Sequence, residues 1–203
     1  MRFVVIGGDA AGMSAASRAK RNAPGIDVVV LEQTQDVSYS ACGMPYAIGD
    51  GRRQLDELVV RRAEVFRQKQ GIDLRTGHRV EAIDSRAKQV SGTTHEGQRF
   101  EINFDRLLIA TGASPMIPDL PGAALPAVKA LKSLADGKAI QAWLAERTVQ
   151  RAVILGMGYI ALEMCEALRA RGLAVDMIKP GPVLLPWLHA DLAQLPEWLR
   201  AFF

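Results

Sequence analysis

Two kinds of residue pattern in this sequence could do chemistry: a cysteine set among small residues, and two glycine-rich turns. Cys42 stands in Ser38-Tyr39-Ser40-Ala41-Cys42-Gly43-Met44-Pro45-Tyr46. A thiolate, not a thiol, attacks sulfur, and its pKa falls at a helix N-terminus. Gly43 leaves the sulfur sterically open, and Pro45 suits the first turn of a helix. The segment therefore reads either as a redox thiol or as an inert buried cysteine, and on cysteine statistics alone the second is the better reading.

The first glycine turn is Gly7-Gly8-Asp9-Ala10-Ala11-Gly12. Gly7 and Gly12 fit the outer positions of the dinucleotide fingerprint Gly-x-Gly-x-x-Gly, while Asp9 replaces the middle glycine. Gly8 is left to supply close backbone approach. A pyrophosphate would sit over this turn, where unpaired N–H groups and the helix dipole favour anions. Glu32 follows Gly12 by twenty residues, placed to accept hydrogen bonds from a ribose diol. The second turn, Gly156-Met157-Gly158-Tyr159-Ile160-Ala161, fits the same fingerprint with alanine in the last position. An NADH site would put an acid at the end of the next strand. Lys179 stands there, and a cation suits a 2′-phosphate or marks loss of selection.

Such turns need a strand before them and a helix after. Arg2 to Ile6 is a short apolar run, Met13 to Asn22 is helix-favouring until Pro24-Gly25, and Ile26 to Leu31 is a second strand. That is a βαβ unit of the expected size. Val37 to Gly51 reads as a loop with at most one helical turn. Arg61 to Gln70 is predicted helical, and Ile72 to Leu74 and Arg79 to Asp84 are predicted strands. Val90 to Gly92 and Arg99 to Phe104 complete a small antiparallel β-meander around a turn at Thr94 to Gly97. Leu107 to Ala110 returns to a buried strand. Pro115, Pro118, Pro121 and Pro126 then mark a domain boundary. Beyond it come a helix over Leu131 to Arg147, a strand over Ala152 to Leu155, a helix over Leu162 to Arg171 and a strand over Ala174 to Ile178. The βαβ pattern thus recurs 149 residues after its first appearance. The fold class is α/β, with two Rossmann-like dinucleotide-binding domains over residues 1–113 and 114–203, and two such folds suggest two dinucleotides.

Composition narrows the classes. At 203 residues and 49% hydrophobic the chain can bury a core, and 23% charged residues exclude wholesale disorder. A net charge of +3 with no basic run longer than two argues against nucleic acid. Cys42 and Cys165 give no disulfide framework, and His78, His95 and His189 are too far apart for a metal-ligand pair. Cys165 sits three residues from both Leu162 and Leu168 and reads as a packed small hydrophobe. No apolar stretch is long enough to span a bilayer, and no secretory leader is visible, so the expected compartment is the cytoplasm.

Four segments in order, Val4–Arg21, Ser38–Asp50, Leu107–Pro115 and Val153–Glu163, resemble the flavin-dependent pyridine nucleotide-disulfide oxidoreductases. The likeness is strongest to the single-cysteine branch of coenzyme A-disulfide reductase type. The resemblance implies FAD in the first domain and NAD(P)H in the second. It makes Cys42 the residue that forms a mixed disulfide with coenzyme A or accepts sulfur from a persulfide or polysulfide. It assigns Ala110, Thr111 and Gly112 to a turn approaching FAD, and Tyr159, Ile160 and Glu163 to a segment near nicotinamide and flavin. It places Ser14, Arg18 and Arg21, which share one face of the first helix, and Ser38 against coenzyme A. The same face read without the resemblance is an ordinary solvated basic one. Oxidases and peroxidases of the branch carry a histidine where this chain has Ala10, which favours thiol exchange over oxygen or peroxide chemistry. Ala41 stands where asparagine is common, removing one substrate hydrogen bond.

Members of that family are more than twice as long and pair as homodimers. The tail after Pro186 departs from the family pattern and ends in Trp198, Leu199, Phe202 and Phe203. The expectation is an N-terminal half with two incomplete parallel sheets, open edges and uncovered apolar faces, hence poor solubility and weak FAD retention. Two other readings remain: a truncated, inactive nucleotide-binding remnant, and a flavin NADH dehydrogenase or ferredoxin reductase that would not need Cys42.

Overall fold

The computed structural model of the chain describes residues 1–180. They divide into two compact units, one of residues 1–40 and 58–118, the other of residues 41–57 and those from Asp119 on. The change of unit at Pro118 falls inside the proline-rich stretch. Residues 41–57, which carry Cys42, group with the second unit although they precede that stretch.

The first unit is built on a parallel sheet of β1 (Arg2–Ile6), β2 (Asp27–Leu31), β3 (Asp73–Arg75) and β7 (Arg106–Ile109), in the order β3-β2-β1-β7. This is the strand order of a doubly wound nucleotide fold, with its switch point between β1 and β7. One face packs Val5, Val28 and Val30 against Met13 and Ala16 of α1 (Ala10–Asn22) and Ala63 and Phe66 of α3 (Ala63–Gln70). The other packs Val4, Ile6, Val29 and Leu31 against Val90 and Ile102 of the antiparallel meander β4 (His78–Asp84), β5 (Gln89–Thr94) and β6 (Arg99–Asn103). Each such aliphatic side chain contributes about 1.5–3 kcal/mol on burial. This sheet is therefore covered on both faces, which corrects the expectation of two uncovered sheets. The meander supplies the second cover, and its residues read in the sequence as a separate small element rather than a lid on the sheet.

The second unit holds a two-stranded parallel sheet, β8 (Arg151–Leu155) and β9 (Ala174–Ile178). Ala152, Ile154 and Val175 pack inward with Met164 and Leu168 of α5 (Tyr159–Ala170), Ile140 and Leu144 of α4 (Leu134–Glu146), and Ile48 of α2 (Met44–Gly49). Val153, Leu155 and Ile178 point the other way and are each more than half exposed. α4 starts three residues later than the apolar pattern predicts because Ser133 caps it. The Ser133 hydroxyl accepts from the Asp136 N–H at 3.2 Å, and the Asp136 carboxylate accepts from the Ser133 N–H at 2.7 Å. α1 and α5 both start three residues earlier than predicted, because each glycine turn is only three residues long. No helix among the described residues is long and apolar enough to cross a membrane.

Candidate dinucleotide turns and the Cys42 segment

In the first unit the end of β1 meets the end of β2 in strict register, Ile6 opposite Leu31. The Gly7 N–H donates to the Leu31 carbonyl at 2.8 Å. Gly7 has φ +108, and a Cβ there would collide with the Ala110 carbonyl oxygen. Gly7 and Ala110 therefore meet at the switch point, where the Ala110 N–H also donates to the Ile6 carbonyl at 2.8 Å. Gly12, in the first turn of α1, comes so close to the Gly7 carbonyl that a Cβ would overlap it. That contact is the packing role the last glycine of the fingerprint requires.

Glu32 follows β2 and is buried. Its Oε2 accepts from the Gly8 N–H at 2.7 Å, and its Oε1 accepts from the Thr34 N–H at 2.8 Å and the Thr34 hydroxyl at 2.9 Å. A carboxylate offers about four acceptor positions, so three are filled and about one is left for a ribose hydroxyl. Gly8 is constrained by this arrangement, since a Cβ would press on Glu32 and Val37 at about 3 Å. Gly8 thus holds the acid rather than facing outward. The role of Gly8 has no signal in residue type, whereas Thr34 has one, a threonine two residues after an acid, placed for such a local bond.

The Ser38 N–H donates to the Gly8 carbonyl at 3.2 Å, and Ser38 has φ +51, rare for a residue other than glycine. Its carbonyl accepts from Val60 N–H at 2.9 Å, which holds that conformation. Ser14, Arg18 and Arg21 lie together on the exposed side of α1, and Ala11 is exposed at its first turn. Thr111 and Gly112 follow β7 on the surface, with Gly112 at φ +68.

In the second unit Cys42 is exposed, in a single 3₁₀ turn (Ala41–Gly43) that leads directly into α2 with Pro45 in its first turn. The inert buried reading of Cys42 does not hold. It does hold for Cys165, which is buried in α5 and whose thiol pKa is pushed up by that burial. An open groove of about 500 Å³ runs between α2 and α5, lined by Pro45, Tyr46, Asp50, Arg52, Glu163 and Glu166. The backbone N–H and guanidinium of Arg52, with Arg53 nearby, hold the Asp50 carboxyl below its usual range. The groove places Glu163 beside the helix that follows Cys42, although 120 residues separate Cys42 from Glu163 in the sequence.

The second glycine turn repeats the first. Leu155 faces Ile178 in register, and the Gly156 N–H donates to the Ile178 carbonyl at 2.7 Å. Gly156 has φ +116, and a Cβ at Gly156 or Gly158 would meet nothing within 4 Å. The backbone is thus open to close approach by a ligand, and Gly158 caps α5 without a side chain. Tyr159 and Ile160 are exposed at the helix start, and Lys179 is half-buried just past β9. Both turns therefore fit a dinucleotide. The tail after Pro186 lies outside the described residues.

The profile of the family described as pyridine nucleotide-disulphide oxidoreductase matches residues 1–197. An NADH oxidase of Methanocaldococcus jannaschii is 32% identical over 97% of this chain and 44% of its own length. An NAD(P)H coenzyme A polysulfide/persulfide reductase of Pyrococcus horikoshii is 40% identical over 91% of this chain and 40% of its own length. The solved structure of an NAD-dependent persulfide reductase from A. fulgidus superposes with a TM-score of 0.91 and 34% identity, over 100% of this chain and 38% of that one. The chain thus spans about two fifths of the length of the relatives it matches.

Proposed function

The chain belongs to the pyridine nucleotide-disulphide oxidoreductase family, and on that premise we propose that it is the two-nucleotide portion of an FAD-dependent NAD(P)H:disulfide oxidoreductase working through Cys42. The substrate class is coenzyme A disulfide, a persulfide or a polysulfide. The single observation that carries this reading is the exposed Cys42 at the head of α2, in a chain that also holds two matched dinucleotide turns. The first turn, with Glu32, would hold FAD, which when bound would supply two-electron transfer between a nicotinamide hydride donor and sulfur.

The chain's own residues then have definite tasks. The turn at Gly7 to Gly12 offers backbone to a pyrophosphate, with Ala11 exposed in the first turn of α1. Glu32 has about one acceptor position for a ribose hydroxyl, and Ala110 to Gly112 border the switch point. Ser14, Arg18, Arg21 and Ser38 supply donors for an anionic disulfide substrate, with the arginines suited to its phosphates. The Cys42 thiolate attacks one sulfur of the disulfide, forms a mixed disulfide and expels the other half as thiolate. Two electrons then break the mixed disulfide, release the second thiolate and restore Cys42. The balance is one NAD(P)H and one proton consumed for two thiols formed. Ala10 carries only a methyl group, with no proton donor or acceptor to assist a sulfenic acid, which supports thiol exchange over an oxidase or peroxidase role. Assembly as a homodimer and residence in the cytoplasm belong to the same proposal.

The test is a visible absorption spectrum of the purified 203-residue chain with FAD, before and after NAD(P)H under nitrogen. Flavin bands that bleach on addition are the expected result. Protein that stays colourless with added FAD would overturn the reading. In the Cys42→Ser variant the bands and their bleaching should persist while thiol release from coenzyme A disulfide is lost; thiol release at the parent rate would remove Cys42 from the mechanism.

A further inference from the structure

Cys42 stands two residues before α2 begins, so where α2 lies decides where the sulfur lies. α2 has only 6 residues, and a helix that short does not hold itself together in water. The last carbonyls of a helix have no partner within it. For α2 the chain's own Asp50 N–H reaches the first of them, donating to the Tyr46 carbonyl at 2.9 Å. The next two are met by side chains from far along the sequence. The Ala47 carbonyl accepts from the Gln141 amide at 3.3 Å, 94 residues on. The Ile48 carbonyl accepts from the Arg171 guanidinium at 3.0 Å, 123 residues on. All of these residues lie in the second unit.

Both donors are placed for the task. The Gln141 amide also donates to the Arg53 carbonyl at 2.8 Å, so its two protons serve two carbonyls at the end of α2. Arg171 caps α5, its N–H donating to the Leu168 carbonyl at 3.2 Å. Its guanidinium lies against Gly51, where a Cβ would come to 3.1 Å from Nη1. A cation at this end of α2 also meets the negative end of the helix dipole. Packing adds to the hold: Ile48 is fully buried, and a Cβ at Gly49 would sit 3.1 Å from the Ala167 Cα of α5. The Lys138–Asp56 pair at 2.6 Å joins α4 to the same segment, but it is exposed and such pairs contribute little.

We infer that Arg171, seconded by Gln141, is a positioning residue for Cys42: by holding the terminal carbonyls of α2 it fixes the thiol for attack on a disulfide. The inference rests on the reading of Cys42 as the attacking thiol.

Single-turnover exchange in the 203-residue chain tests it without flavin or nicotinamide. The probe is coenzyme A disulfide. The Cys42 thiolate attacks one sulfur, the disulfide bond breaks, one coenzyme A leaves as thiolate, and the other is read as added mass on the Cys42 peptide. Alkylation by iodoacetamide is measured in parallel, because a small alkylating agent needs an exposed thiol but no aligned disulfide. Arg171→Met should slow exchange about tenfold, for one charge-assisted bond, and Gln141→Met about threefold, with alkylation changed by less than about twofold. Arg171→Lys keeps a donor and the charge and should restore most of the rate. Gly51→Val, which crowds the guanidinium and leaves Arg171 in place, should slow exchange in the same way. Exchange at the parent rate in Arg171→Met and Gly51→Val overturns the inference and leaves Cys42 as the attacking thiol. Alkylation that falls as far as exchange, or a loss that Arg171→Lys does not restore, also overturns it. A parent chain that is folded by circular dichroism and forms no mixed disulfide at Cys42 overturns both. If Arg171→Met fails to fold, Gly51→Val decides.

Discussion

Cys42 and Cys165 share a chain and differ in everything that governs sulfur chemistry. Cys42 is exposed at the head of a helix, and Cys165 is 3% exposed inside α5 with its thiol pKa raised by burial. A thiol reagent should therefore modify one cysteine rapidly in the folded chain and two in denaturant. Loss of the fast phase in Cys42→Ser checks the assignment; a fast phase surviving in that variant would mean Cys165 is accessible. The buried thiol also has a pH consequence. A raised folded-state pKa means the folded chain holds that proton more tightly than the unfolded chain. Its contribution is complete below the ordinary thiol value of 9.0 and is lost as pH rises through the folded value. Thermal stability should fall above pH 9.0, and Cys165→Ala, at a cost of about 1 kcal/mol near neutrality, should fall less steeply. Parallel pH profiles for the two proteins would exclude this cause.

At the scale of elements, the two glycine turns make a controlled comparison. Gly12 touches the Gly7 carbonyl so closely that a Cβ cannot fit, whereas the matching residue of the second turn is Ala161. Gly12→Ala must push α1 away from β1. It should cost about 1–3 kcal/mol by urea midpoint and release FAD, while Ala161→Gly should cost only about 0.5–1 kcal/mol from backbone entropy. A Gly12→Ala variant as stable as its parent would show that α1 has room to move. These turns were legible because each is local: glycine spacing, strand before, helix after, and acid or cation at the next strand end. The pieces that escaped were bonds across the chain. The Gly8 N–H to Glu32 contact, the left-handed Ser38 and the groove joining Glu163 to Pro45 and Tyr46 depend on tertiary approach that residue type does not encode. Helix starts differ from the apolar pattern for a local reason. Short apolar periodicity locates a helix, but the cap or turn before it decides the first residue, as Ser133 does for α4.

At the scale of the whole molecule the two parallel sheets are unequal. The sheet of the first unit has four strands with both faces covered, and β1 lies in its interior. The sheet of the second unit has two described strands, and Val153, Leu155 and Ile178 are 55–56% exposed on one face. Parallel sheets are ordinarily covered on both faces, and two strands alone are marginal in water. Strand identity was readable from apolar runs, but which runs would be covered was not, because cover comes from elements distant in sequence. Hydrogen exchange should therefore find β1 and β2 amides protected close to the global limit, with β8 and β9 amides exchanging faster by about tenfold or more. The exposed face should also drive concentration-dependent association, since contiguous apolar surface of this kind is sticky. Sedimentation velocity over a concentration series should show the parent chain shifting to larger species, and a Val153→Thr, Ile178→Thr double variant shifting less. These changes leave the inward residues Ala152, Ile154 and Val175 untouched, so circular dichroism should not move. Equal protection of β1 and β8 would mean the smaller sheet is held as firmly as the larger one. Matching sedimentation profiles would show that the exposed face does not self-associate.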